Sequence, residues 1–578
     1  MTSPLMIASI FETATNNPDK LALICGGESI SYRTLSNKIN SAATYLKEQG
    51  VRRNDRVLLS ATSSSPSFVY GYFACHLIGA ISVPIDAKTA SKTLIDIAGQ
   101  TRPRFSCLAP SASFGFANAP LEILNSDYSG SHTIAIENLD EPADILFTAG
   151  TTGKPKGIVQ THRNIKALAD GRNSVIGAPA RDAIVIPLPL SHGFGLGRLR
   201  CTVFLGGAIV LVDGFLFPDK IFRAFDNPAV SGMCCVPSGF ANLFQIGGDR
   251  IGEFRHRLKY IETATAPLPD GIKDRLVRLL PHTRIYNTYG LTETTATIAF
   301  VELHSASHPP IPVGKPIPGV EVKIVDEDFN KVPTGSLGQV FVRGDNVMKG
   351  YWEDPVRTRD VLIEGWLATN DMGYLDAEGY LYLKGRKEEL INVGGLKVAP
   401  VEIERVLEEH AAISECACIG ITDPAGFTGE VIKAFLVPVT GLTTKPSNAQ
   451  LVEFMRKTVE GYKIPAQFIW VDALPKTSVG KLQRLRLHGR IDWDKESEVP
   501  ALSLMALIRK AFSLAPDAAV TATDGPGSLD GWDSLGHMKL ILAIERAYGV
   551  NIAPSEAMAV ESVADIITIL MKKGCTSV

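Results

Sequence analysis

The feature that most narrows the fold is an alternation, across roughly the first 380 residues, of short β-branched runs with helical stretches. The segment VLLSATSSSPSFVYGYFACHLIGAISVPID reads as a strand at Val57–Ala61, an amphipathic helix, and a second strand at Ile81–Ile85. AIVIPLPL and GAIVLVD read as further buried strands. Such alternation predicts a parallel-type α/β core. From Gly314 the texture shifts to period-two runs separated by turn residues, as in a small antiparallel barrel or sheet. A third texture, Glu388 to Arg490, mixes helices (VEIERVLEEH, AQLVEFMRKTVE) with strands (CACIGITD, VIKAFLVPV) and predicts a compact α+β unit. IDWDKESEVP is polar and ends in proline, as linkers do, and the residues from Ala501 to Val578 are mostly helical in pattern. The expected fold class is therefore multidomain α/β: a large domain over 1–385, a small domain over 386–490, a linker over 491–500 and a helical module over 501–578.

Composition excludes several partners. A net charge of −3 gives no reason to expect nucleic acid or an anionic membrane. The N-terminus has no signal-peptide pattern, and the apolar stretch Thr202–Val212 is broken by Gly206 and Gly207, well short of the roughly 20 residues a span needs. The nine cysteines show no ligand spacing against histidines and read as buried reduced thiols. A soluble, cytoplasmic protein is expected.

The sharpest local signal is Thr148-Ala-Gly-Thr-Thr-Gly-Lys-Pro-Lys-Gly157, between the apolar run Ile145–Phe147 and a helical start at Thr161. Backbone N–H groups and the hydroxyls of Thr148, Thr151 and Thr152 can wrap phosphate oxygens, Gly150 and Gly153 permit the turn, and Lys154 and Lys156 offset the charge. A P-loop NTPase is excluded, because no Gly-Lys is followed directly by Ser or Thr.

This loop resembles the signature loop of the adenylate-forming superfamily: acyl-CoA synthetases, beetle luciferases and the adenylation domains of nonribosomal peptide synthetases. The resemblance continues in order along the chain. Asn287-Thr-Tyr-Gly-Leu-Thr-Glu293 is similar to the family's second nucleotide motif, and Gly365-Trp-Leu-Ala-Thr-Asn-Asp371 to the segment with the ribose-binding aspartate. Gly385-Arg-Lys-Glu388 resembles the hinge, and Pro475-Lys-Thr-Ser-Val-Gly-Lys-Leu-Gln-Arg484 the C-terminal lysine motif. The fold implied is a large N-terminal domain with mixed and parallel sheets and a β-barrel-like subdomain, followed by a small mobile α+β domain.

The resemblance also implies roles. Adenylation brings a carboxylate against the α-phosphate of ATP, so charge must be neutralised as it develops. Lys481 would do this from the small domain, and Thr292 would donate to the α-phosphate. Glu293 would hold Mg²⁺, a hard cation suited to carboxylate oxygen. Tyr289 would stack on adenine, with Asn287, Gly290 and Thr265-Ala266-Pro267 in the same pocket, and Asp371 and Arg386 would bind the ribose hydroxyls. Glu388 would be the hinge about which the small domain swings between two half-reactions, and Gly394, Gly395 and Lys397 would line the thiol's tunnel. Two positions depart from the family pattern: Ala149 replaces a serine and Asn370 a glycine.

Near the C-terminus, Leu529-Asp-Gly-Trp-Asp-Ser-Leu-Gly-His-Met538 precedes an amphipathic run. The module resembles a four-helix acyl or peptidyl carrier protein, whose serine, here Ser534, receives 4′-phosphopantetheine. That implies a self-loading enzyme serving a downstream nonribosomal peptide synthetase module in secondary metabolite biosynthesis. A CoA ligase using free CoA, and a non-catalytic acyl-carrier scaffold, are the alternatives.

The segment Pro187–Leu196 resembles the acid-pocket motif of acyl- and aryl-activating members. Ser191-His192 stands where α-amino-acid-activating domains generally carry an aspartate, which argues against a zwitterionic substrate. His192, Phe194 and Gly197 would line the pocket, with Val236, Pro237, Ser238, Gly239 and Ala264 opposite. A Phe and a His among small residues suit a flat aromatic acid. The expected small carboxylic acid is a benzoate-type one, such as a hydroxy- or aminobenzoate.

Overall fold

The computed structural model describes residues 5–573 except 63–64, 88, 90, 109–116, 149–154, 216, 267, 305–310, 394–395, 423–429, 477–481, 489–503, 513, 515–517, 527, 530–531, 533–536, 538–539, 542, 546–547, 549, 551, 554–555 and 558. Among the described residues the largest element is a nine-stranded sheet. Its middle strands, in the order Arg284–Tyr289, Tyr260–Thr263, Val230–Cys235, Ala183–Ile186, Ala208–Leu211 and Leu21–Cys25, run parallel. Ala183–Ile186, Ala208–Leu211 and Val230–Cys235 are buried throughout, as strands covered on both faces must be. Antiparallel strands close both edges, Glu28–Ser31 at one and Ala299–Leu303 with Lys315–Pro316 at the other.

A second, seven-stranded sheet is parallel from Pro142–Thr148 through Ile81–Ile85, Arg56–Ser60 and Phe105–Cys107 to Ala117–Ala119. The helix Ser67–Ile78 corrects the amphipathic expectation: all of its residues are buried, and it has no solvent face. Helix Tyr32–Glu48 and the turn Leu121–Asn125 cover it, so SFVYGYFACHLI is an interior helix, apolar all round.

From Val320 the expected antiparallel texture appears as the strands Val320–Val325, Gly338–Gly344, Trp366–Leu375, Leu362–Ile363 and Leu381–Arg386. The small domain packs the helices Pro400–Glu408 and Asn448–Arg456 on a three-stranded sheet of Ile413–Thr422, Glu430–Pro438 and Gln467–Trp470, around its own core. Farther on, the helices Leu504–Ala511 and Val563–Lys572 and the ring of Trp532 share a separate apolar core drawn entirely from residues 504–570. Of the expected four-helix module, Ser534 and the linker lie outside the described residues. All eight described cysteines are buried free thiols. Among the described residues no helix is long and apolar enough to cross a membrane, and no His, Cys, Asp and Glu cluster could hold a metal ion.

Candidate active site

Parallel strands present their C-terminal ends on one edge of a sheet, where ligands of α/β proteins bind. Along that edge Ala183–Ile186 leads to His192, Tyr260–Thr263 to Ala264, Thr265 and Ala266, and Arg284–Tyr289 to Gly290, Thr292 and Glu293. Asn287 is buried on the last of these, in register with Thr263. The hairpin of Pro142–Thr148 and Lys156–Thr161 pairs Thr148 with Lys156, so the ends of the phosphate loop are held side by side. The loop's Ala149, Gly150, Thr151, Thr152, Gly153 and Lys154 lie outside the described residues, as do Pro267, Gly394, Gly395, Lys481 and Ser534.

Lys156 sits with its Nζ 5.9 Å from the centre of the Tyr351 ring, and the Tyr351 hydroxyl donates to Glu293 Oε1 at 3.1 Å. Tyr351 reaches this place because Gly350–Tyr351 pairs with the strand that follows the phosphate loop. The turn carrying Thr292 and Glu293 is tightly specified. A Cβ on Gly290 would lie 2.2 Å from the Ala296 carbonyl oxygen, so only glycine fits. Asn346 Nδ2 donates to the carbonyls of Thr294 and Thr297, and Gln160 Nε2 donates to the Thr292 carbonyl at 2.8 Å. Gln160 is itself held by Arg200, whose guanidinium donates to Asp144 at 2.6 Å in a fully buried cluster with Tyr72 and His76.

Asp371 and Arg386 face one another across antiparallel strands, with Arg386 Nε 2.7 Å from Asp371 Oδ1. The Tyr289 hydroxyl donates to Asp371 Oδ2. Burial, with Asp371 beside it, pushes the Tyr289 phenol well above its ordinary range, so it stays a donor. Asn370 has a φ of 62°. This explains the departure from glycine, since asparagine tolerates the left-handed region better than other side chains. Glu388 lies in a short 3₁₀ turn, Lys387–Glu389, and Lys397 on the strand Leu396–Val398.

On the acid side, His192 caps the helix Gly193–Phe204 and sets its Nε2 3.8 Å from Asp86 Oδ2. Burial lowers its pKa and Asp86 offsets part of this, which keeps the imidazole neutral near pH 7. Phe194, Val236 and Ala264 belong to one buried cluster. On the expected opposite wall, Gly239 and Ser238 have different surroundings. The space beside Gly239 is filled by Phe215 and Cys235 Sγ, 2.6 and 2.9 Å from where a Cβ would stand, and Ser238 is exposed. Gly239 permits close packing of Phe215 there.

Tyr351, Gln160, Asn346 and Asp86 escaped the sequence reading, as did a buried cluster of Arg172, Arg198 and Glu262. Its only sequence signal is a pair of arginines, Arg198 and Arg200, inside the otherwise apolar GFGLGRLRCTVF.

Comparison with known proteins accords with this geometry. Residues 10–352 match the family model for the AMP-binding enzyme, and residues 402–481 match that for the AMP-binding enzyme C-terminal domain. A 2-succinylbenzoate–CoA ligase of Bacillus velezensis is 30% identical over 493 residues, covering 83% of this chain and 97% of the relative. An indoleacetate–CoA ligase of Aromatoleum aromaticum is 30% identical over 493 residues, covering 81% and 94%. Among solved structures, ATP-bound MatB from Rhodopseudomonas palustris superposes with a TM-score of 0.77 at 26% identity over 84% of this chain and 98% of that one. MenE from Bacillus subtilis, in complex with ATP and magnesium, gives 0.74 at 27% over 83% and 98%. The chain belongs to the AMP-binding enzyme family within the adenylate-forming acyl-CoA ligase superfamily, and is an ATP- and Mg²⁺-dependent, AMP-forming acid–thiol ligase.

Proposed function

We propose that the chain adenylates an aryl acid and transfers the acyl group to a phosphopantetheine arm on its own Ser534. In the first half-reaction a carboxylate oxygen bonds to the α-phosphorus of ATP as the bond to pyrophosphate breaks. In the second, a thiol displaces AMP from the acyl carbon and loses its proton. Arg386 and Tyr289 fix the Asp371 carboxylate, which accepts from the ribose hydroxyls. Tyr351 orients Glu293, whose carboxylate would hold Mg²⁺ and so supply charge neutralisation at the phosphates. Thr292, on a turn pinned by Gln160, donates to the α-phosphate, and Lys481 brings positive charge from the small domain. His192 and Phe194 border the acid.

The observation that carries self-loading is the separate apolar core of residues 504–570, a module with its own interior following the adenylating domains. Within it Trp532 stacks on Phe512 and donates to His537 Nδ1 at 3.0 Å, on either side of the Asp533-Ser534-Leu535 segment. Delivery within one chain gains from effective concentration. The aryl reading rests on Phe194 and His192 and on the aromatic acids in the names of two relatives, although a long-chain-fatty-acid–CoA ligase of Escherichia coli also matches, at 33% over 367 residues. Those same names favour free CoA as the acceptor in a second reading.

The test is the intact mass of the phosphopantetheinylated protein after incubation with ATP, Mg²⁺ and a panel of carboxylic acids. An acyl increment from a benzoate, absent in Ser534→Ala, is expected. A holo-protein that gains no mass while free CoA is acylated would replace self-loading with the CoA ligase reading. Preference for octanoate over every benzoate would sink the aryl assignment.

A further inference from the structure

The phosphate loop rejoins the sheet at Pro155, and the groups that fix this root come from outside the loop. Gln100, near the C-terminal end of the helix Ser91–Thr101, donates through Nε2 to the Pro155 carbonyl at 3.2 Å. The backbone carbonyl of Gln100 accepts from Trp352 Nε1 at 3.2 Å. Trp352 N donates in turn to the Gly157 carbonyl at 2.7 Å. Gln100 and Trp352 thus bracket Lys156, one holding the residue before it and the other the residue after it. Just beyond them, Arg102 and Glu353 form an ion pair that joins the same two segments.

The helix that carries Gln100 is placed by packing. Ile97 and Ala98 are buried in one apolar cluster with Ile145 and Val159, which come from the two strands flanking the phosphate loop. Leu94, Phe147 and Trp352 pack against that cluster. Gly157 seats closely on its neighbours, since a Cβ there would stand 3.0 Å from Ile145 Cγ2 and 3.1 Å from Phe147 Cζ. Gln100 is itself half-buried, so its amide adds direction to a root that packing already holds in place.

Direction matters because of the residue it acts on. Proline has φ locked near −65°, so the soft rotation left at Pro155 is ψ, which swings its carbonyl oxygen. The bond from Gln100 opposes that swing. The peptide is planar, so a fixed Pro155 oxygen also fixes the Lys156 N–H and the Cα from which the lysine side chain departs. Lys156 Nζ lies 5.9 Å from the centre of the Tyr351 ring, whose hydroxyl donates to Glu293. The lysine therefore stands beside the carboxylate that would hold Mg²⁺. With Thr292 on the α-phosphate, the charge of Lys156 is left for the two phosphates beyond it.

We propose that Gln100 is a positioning residue for ATP: by pinning the Pro155 carbonyl it aims Lys156 at the phosphates that leave as pyrophosphate. This rests on the reading of residues 148–157 as the phosphate loop, and it names a residue that none of the nucleotide motifs contains. The contrasting role is local packing, which would serve every ligand of the site alike.

The test measures the affinities of MgATP and AMP by isothermal titration of the full-length protein, for which the acid need not be known. Gln100→Met keeps the length of the side chain and removes its donor. It is expected to raise the dissociation constant of MgATP roughly three- to tenfold, the range one hydrogen bond contributes. The dissociation constant of AMP, which lacks the leaving phosphates, is expected to stay within about twofold, the lower limit of that range. Lys156→Ala is expected to weaken MgATP at least as much. Gln100→Met should then add nothing in the Lys156→Ala background, because both losses pass through one side chain. Trp352→Phe keeps the ring and drops only the N–H to the Gln100 carbonyl. It is expected to weaken MgATP selectively but less, and it decides the matter if Gln100→Met melts early. Equal weakening of MgATP and AMP by Gln100→Met, no weakening of either, or losses that multiply in the double variant would each overturn the proposal. If Lys156→Ala weakens MgATP and Gln100→Met does not, the phosphate-loop reading stands without Gln100. MgATP binding unaffected by Lys156→Ala would remove that reading of the root and the proposal with it.

Discussion

Glu293 owes its orientation to a phenol that lies 58 residues away in sequence. Hydrogen bonds to a charged group contribute about 1.5–3 kcal/mol when both partners are well placed. Tyr351→Phe is therefore expected to raise the Mg²⁺ concentration needed for half-maximal adenylation by roughly tenfold, the lower end of that range. A magnesium titration of pyrophosphate exchange checks it, and an unchanged midpoint would remove Glu293 from the metal role. Gly290 makes a steric demand on the same turn. Its hypothetical Cβ meets backbone, at 2.2 and 2.4 Å from Ala296 oxygen and carbon, and no flexible side chain can yield. Gly290→Ala is expected to displace Thr292 and Glu293 and lower exchange activity by about tenfold or more, overpacking of this kind costing typically 1–3 kcal/mol. Activity within twofold of wild type would show that the turn adapts.

Elements differ in how legibly they are written. Ile81–Ile85 was readable to the residue, and Ala183–Ile186 and Ala208–Leu211 to within a few, because strands covered on both faces are continuous β-branched runs. The helix Ser67–Ile78 was recognised but misassigned to a half-exposed position, since an apolar stretch does not announce which neighbours will enclose it. Asp371 and Arg386 were legible through their motifs, and antiparallel pairing then brought them together. The Asp144–Arg200 and Arg172–Glu262 pairs were not, because 56 and 90 residues separate the partners and only the packed sheets define their meeting. Glycines were equally mute: nothing in the sequence tells that the space beside Gly239 is occupied by Phe215. The helix His162–Ile176 carries a pH dependence of this illegible kind. Burial, aided by His76, lowers the His162 pKa to about 3 from its ordinary 6.5. The folded chain thus keeps His162 neutral, while the unfolded chain protonates it below pH 6.5. Its contribution to stability is present above 6.5 and is lost as pH falls from 6.5 toward 3. Thermal melts between pH 7.5 and 5 should fall more steeply for the wild-type protein than for His162→Leu, and parallel curves would contradict this.

At the scale of the whole molecule, the proposed role of Lys481 depends on how the small domain holds the residues that flank it. The described residues on either side, Lys476 and Leu482–Arg484, are tied into the domain. Lys476 pairs with Glu415 at 2.6 Å and bridges to Leu482 across the loop, and Gln483 N donates to the Pro475 carbonyl at 2.8 Å. Arg484 is the central tie. It binds the Glu404 carboxylate through both terminal nitrogens, donates to the Cys418 carbonyl, and donates through Nε to Glu389 Oε2 at 3.2 Å. Glu404 in turn accepts from Cys418 N at 2.6 Å, so Arg484, the domain's core strand and Glu389 share one charged node. Arg484→Met leaves a buried carboxylate unpaired, and losses of about 3–5 kcal/mol are typical of such breaks. The small domain should then melt or become protease-sensitive before the large one. Stability and positioning are separable through the double variant Arg484→Met/Glu404→Gln, which removes the orphaned charge. It is expected to recover most of the lost melting temperature while pyrophosphate exchange stays depressed, because Arg484, three residues from Lys481, no longer has its anchor. Recovery of both together would mean that Arg484 serves the fold of the small domain alone, and that Lys481 reaches the phosphate without it.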